Sequence, residues 1–106
     1  MSTLEAAEIS VQATPTNLVA TWFENGVKTG LELNYRYSLQ HRHFYDGGEC
    51  HHAFTDVSLW ECLRELGIEH FEDPWDEMGR LFAAGRAIEV DTWIEKNCAT
   101  LGAFYK

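Results

Sequence analysis

Positive charge, long apolar runs and recognisable catalytic motifs are all scarce in this chain. Eight Lys and Arg stand against seventeen Asp and Glu, a formal net charge of −9. Such a surface repels a phosphate backbone, so direct nucleic-acid binding is not expected. No run is long and apolar enough to span a bilayer. The opening residues, Met1-Ser2-Thr3-Leu4-Glu5, carry neither a basic nor an apolar leader segment, so no secretion signal is expected. Cys50, Cys62 and Cys98 form an odd set without paired spacing. Reduced thiols and a cytoplasmic location are the expectation. There is no glycine-rich phosphate loop, no H-E-x-x-H, no deaminase-type paired Cys and no calcium-loop spacing. Cys50 beside His51 has no orienting third residue, and sequence neighbours rarely face each other. The chain is therefore not expected to be an enzyme.

What is present is bulk. Of 106 residues, 45% are hydrophobic and 13% aromatic. That suffices for a single globular domain over residues 1–106 with its own core. The patterning splits into two halves. Residues 8–13 alternate, with Ile9, Val11 and Ala13 against Glu8, Ser10 and Gln12, as in a short half-buried strand. Leu18 to Phe23 reads as a strand, because Asn25-Gly26 behind it is a strong hairpin signal. A helix with Pro15 in its first turn is the alternative. Leu31, Leu33, Tyr35, Tyr37 and Leu39 then alternate with polar residues in what reads as one long strand. If it continues, His41 and His43 stay on the apolar face, until Gly47-Gly48 breaks it.

From Thr55 the period becomes helical. Thr55 or Asp56 caps a first helix with Leu59, Leu63 and Leu66 inward and Trp60 beside them, ended by Gly67. Asp73-Pro74 starts a second, with Trp75, Met78, Leu81 and Phe82 inward and Gly85 after it. Asp91 is expected to cap a third, with Trp93, Ile94, Cys98 and Leu101 inward and a stop at Gly102. The expected architecture is α+β: a small antiparallel sheet of two or three strands from the N-terminal half, packed against three short C-terminal helices.

Two constellations carry possible chemistry. Residues 41–52 hold four of the five histidines and one cysteine. His41 and His43, two apart on a strand, make half a metal site, and Cys50 or His52 would complete one for zinc. An ordinary hydrogen-bonded histidine on the apolar face is the plainer reading of His41, and the spacing matches no established zinc pattern. The second constellation is acidic. Residues 56–77 hold eight carboxylates and one base, Arg64. Glu61, Glu65, Glu69, Glu72, Asp73, Asp76 and Glu77 are the candidate partner-binding residues. Capping and helix-dipole effects account for some of them, and a solvated face is the default for the rest. The functional reading is a carboxylate surface that occupies a basic groove. Carboxylates at i and i+4 lie about 6 Å apart along a helix, so their rows imitate a phosphate track. Trp22, Phe23, Tyr35, Tyr37, Trp60, Trp75 and Trp93 are expected in the core. Phe44, Tyr45, Phe104 and Tyr105 are the candidate exposed anchors.

Small size, a concentrated acidic run and abundant aromatics point to a protein that acts by binding another. In type the chain resembles the small phage-borne inhibitors of bacterial defence, such as anti-CRISPR proteins. The likeness is one of class and covers no motif. It implies a basic partner that handles nucleic acid, a nuclease or CRISPR effector among the candidates, with no cofactor. The alternative is a small zinc-binding module built on His41, His43, Cys50 and His52.

Overall fold

The computed structural model describes residues 9–35 and 39–105. Six strands form one antiparallel sheet: β1 (Ser10–Ala13), β2 (Asn17–Glu24), β3 (Val27–Asn34), β4 (Gln40–Tyr45), β5 (Gly48–Ala53) and β6 (Thr100–Tyr105). Their spatial order follows the chain order. Three helices, α1 (Asp56–Glu65), α2 (Pro74–Ala83) and α3 (Ala87–Asn97), are inserted between β5 and β6. They cover one sheet face. Leu18, Ala20, Trp22, Leu31 and Leu33 from the strands join Leu59, Leu63, Met78, Phe82, Val90 and Ile94 from the helices in one buried cluster. Among the described residues no helix is long and apolar enough to cross a membrane.

The sheet corrects the expected fold. Two or three strands confined to the N-terminal half are overturned by six, the last at the far end of the described chain. The α+β class and the three helices stand. The long alternating strand is in fact two strands. β3 ends at Asn34 and β4 begins at Gln40, with Leu33 paired to His41 across the turn. Paired residues share a face, so Leu31, Leu33, His41 and His43 keep the parity of the alternation. Tyr35 leaves the sheet and stacks on Trp75 at 5.2 Å. Tyr37, like Glu8 and the leader residues 1–5, lies outside the described residues.

Asp46-Gly47 turns β4 into β5 rather than ending the sheet, with Gly47 at φ +111°. Asn25 and Gly26 both have positive φ, 51° and 81°, so β2 and β3 meet in the twisted two-residue turn that hairpins favour. β1 is fully exposed rather than half-buried. The third helix begins at Ala87, not after Asp91, and Leu101 with Gly102 belongs to β6. Thr55 caps α1 by accepting from the Ser58 N–H, and Asp73 caps α2 by accepting from the Trp75 N–H. Trp60, Phe23 and Tyr35, expected inside, are exposed.

Candidate functional site

Pairing of β4 with β5 sets His41 opposite His52 and His43 opposite Cys50. These four therefore share the helix-facing side of the sheet. Arg42, Glu49 and His51 fall on the other side. There Arg42 is bonded to both Glu32 and Glu49 at 2.9–3.2 Å and lies over the Phe44 ring at 4.7 Å.

The expected zinc set shares a face without meeting at a point. His41 Nε2 lies 2.9 Å from Asp91 Oδ1. His43 Nδ1 lies 2.7 Å from Asp91 Oδ2 and 3.1 Å from Glu95 Oε2. His52 Nδ1 lies 3.2 Å from His41 Nδ1. The centre of this junction is thus Asp91, with Glu95 one helical turn later, and neither residue was singled out as a ligand from sequence. The signal was available. A helix that begins at Ala87 carries Ala87, Val90, Asp91 and Ile94 on its buried stripe. A carboxylate in an apolar stripe demands partners.

The Asp91 carboxylate fixes where two of the imidazole protons sit. The Asp91 carboxylate accepts from His41 Nε2–H. The His41 and His52 Nδ1 atoms share one further proton between them, 3.2 Å apart. Burial holds His52 below the ordinary histidine range, and repulsion from the neighbouring imidazoles acts in the same direction whenever they carry a proton charge. Burial opposes a charge on His43, but the bond to Asp91 and the charges of Asp91, Glu95 and Glu24 outweigh it and hold its pKa above that range. Burial opposes ionisation of Asp91 as well, and the bonds from His41 and His43 override it, so its carboxyl sits below the ordinary value. Glu95 is pushed up by burial and by Asp91. Burial and the same two carboxylates push the Cys50 thiol up, which disfavours a thiolate there. A cavity of about 600 Å³ opens beside His41 and His52, walled by Leu39, Phe54, Leu101 and Phe104.

The acidic run divides in two. Three of its seven candidates have work inside the fold. Glu65 Oε1 accepts from the Trp93 indole N–H at 2.8 Å, tying α1 to α3. Asp73 caps α2. Glu77 pairs with Arg80. The other four, Glu61, Glu69, Glu72 and Asp76, are exposed and form no ion pair or side-chain hydrogen bond among the described residues. Between α1 and α2 the Trp60 ring, 45% exposed, packs on Phe71 with centroids 4.7 Å apart. Glu69, His70 and Glu72 line the same shallow depression of about 430 Å³. Of the anchors expected from sequence, Phe104 and Tyr105 are exposed on β6, while Phe44 and Tyr45 are half-buried.

No family model matches the chain, and no curated protein or solved structure matches it.

Proposed function

We propose that this chain is a non-enzymatic binding protein that captures a basic, nucleic-acid-handling protein, using Trp60 and Phe71 as anchors within a rim of carboxylates. The observation that carries this reading is the coincidence of the two features. The exposed Trp60 ring and the half-buried Phe71 line the same depression as Glu69 and Glu72, neither of which has an ion-pair or hydrogen-bond partner among the described residues. Trp is the residue most enriched at binding hot spots, and a rim of like charge steers an oppositely charged partner. A Lys/Arg-rich groove that normally holds a phosphate backbone fits both requirements. An RNA-guided nuclease of bacterial defence is the first partner to test, and the reading places the chain in the cytoplasm with it.

The test is titration of the chain against a panel of purified nucleic-acid-handling proteins, RNA-guided nucleases first. Binding is expected to compete with the partner's nucleic acid and to weaken steeply between about 50 and 200 mM salt. A Glu61→Lys, Glu69→Lys, Glu72→Lys triple variant is expected to lose capture. Equal capture by that variant, or capture by no member of the panel, overturns the reading.

A further inference from the structure

Asp91 and Glu95 stand one turn apart on α3, and β4 sets His43 against both. One ligand atom from each of the three lies within 4.8 Å of the other two. Bonds of about 2.0–2.2 Å to a tetrahedral zinc leave ligand atoms about 3.3–3.6 Å apart. The observed 2.7 and 3.1 Å separations at His43 Nδ1 open to that range by less than about 1 Å. Glu95, with its side chain 41% exposed, can supply the smaller of the two movements, and the larger falls to His43 and Asp91. From the same side an ion has a route in.

The charge around this point is unbalanced. Asp91, Glu95 and Glu24 all act on His43, and the groups that act on Glu95 are Asp91, Glu24 and the two imidazoles. Among the described residues no Lys or Arg pairs with Asp91 or Glu95. The support behind the cluster is that of a ligand set. Asp91 presents Oδ2 to the cluster while its Oδ1 is held by His41 Nε2, which is backed in turn by His52. A first ligand oriented by a second layer of hydrogen bonds is what protein metal sites need.

We propose that His43, Asp91 and Glu95 bind one divalent transition-metal ion of the zinc type, which clips α3 to β4. One imidazole with two carboxylates suits zinc, manganese or ferrous iron better than the all-oxygen preference of calcium and magnesium. The ion replaces the His43 Nδ1 proton, which is released on binding. Three protein ligands leave a further coordination position for water. The site differs from the set expected from sequence. His41 is committed to Asp91, His52 to His41, and Cys50 stands outside the cluster.

The experiment uses the untagged, chelator-stripped full chain titrated with zinc chloride, read by native mass spectrometry, calorimetry and thermal melting. One zinc per chain is expected, with a melting temperature that rises with free zinc and returns with chelator. Glu95→Ala is expected to melt no lower than the parent without metal, yet to bind zinc at least about tenfold more weakly. His43→Ala should bind no zinc, and Cys50→Ser should bind it as the parent does. Three outcomes overturn the site: no stoichiometric zinc in the parent, full zinc affinity in Glu95→Ala, or loss of zinc in Cys50→Ser. None of them bears on partner capture through Trp60, so the two proposals fail separately.

Discussion

The junction beneath α3 and the surface across α1 and α2 are both built from carboxylates and aromatic rings, and they use them in opposite ways. At the junction Asp91 is 4% exposed and each of its oxygens meets an imidazole. Among the described residues no buried side-chain nitrogen or oxygen lacks a hydrogen-bond partner. On the surface, Glu61, Glu69, Glu72 and Asp76 are exposed, and Glu69 and Glu72 line one depression with a tryptophan that is nearly half exposed. A fully connected buried network fixes one arrangement and resists change. An unpaired carboxylate beside an exposed ring contributes little to the fold and keeps its field for a partner. The lesson is that the charge of this chain is not one property. The same residue types hold the fold together in one region and are left over in the other.

The largest effect follows from breaking the junction. Asp91→Ala removes the acceptor of two imidazoles at once and leaves His43 half-buried without its main partner. A loss of about 3–5 kcal/mol is expected, the cost of stripping one member from a buried ionic network. Against a typical domain stability of about 5–15 kcal/mol, that leaves the protein marginal or unfolded. Urea unfolding of the metal-free chain measures it. A loss below about 1 kcal/mol would put Asp91 on the same footing as the surface carboxylates and dissolve the contrast.

Trp60→Ala tests the other side. Among the described aromatics the exposed ring packs on Phe71 alone, so its removal should cost the fold little. Capture of a partner should fall by about 2 kcal/mol or more, roughly thirtyfold, if Trp60 is the anchor. Parallel unfolding and binding curves on one preparation separate the two quantities. A variant that unfolds readily and still binds would exchange the roles assigned to the regions.

The two regions were not equally legible in the sequence, and the reasons are physical. The alternation of Leu31 and Leu33 with His41 and His43 placed all four on one face, as the β3–β4 register has them. What alternation does not carry is the turn, because a five-residue connection between paired strands preserves its parity. β5 escaped notice because Cys50 and His52 are polar residues on the inward face. β6 was hidden because Leu101 continues the helical spacing of Ile94 and Cys98. Asp91 misled for a related reason: an Asp before an apolar pair is a good capping signal, yet Arg86 stands at the start of α3 and Asp91 is buried. The acidic run was plain from composition, but which of its members were already bonded depended on tertiary contacts. Nothing local distinguishes Glu61 from Glu65.

That pair gives the next prediction. Glu65 accepts from the Trp93 indole, and Glu61, one turn before it, has no ion-pair or hydrogen-bond partner for its side chain among the described residues. Glu65→Ala should cost about 1 kcal/mol, since it deprives a largely buried indole N–H of its acceptor where water can partly replace it. Glu61→Ala should cost nothing measurable. Trp93 fluorescence reports the difference independently of stability, because only Glu65→Ala changes the surroundings of the ring. Equal costs for the two would mean that the bond across α1 and α3 contributes nothing.

The smallest effect on the fold is expected where the charge change is greatest. Replacing Glu61, Glu69 and Glu72 by Lys alters the net charge by six, yet none of the three carboxylates has a partner to lose among the described residues. Surface substitutions away from caps and pairs usually stay within about 0.5 kcal/mol each. Here the sign should favour the variant slightly, because the substitutions relieve repulsion within a run of eight acids and one base. Raising the salt should erase that small gain, since screening removes the same repulsion from the parent. Unfolding at low and high ionic strength measures both terms. A large destabilisation that persists in high salt would show these carboxylates to be structural, and the contrast between a bonded junction and an unspent surface would then fail at its weaker end.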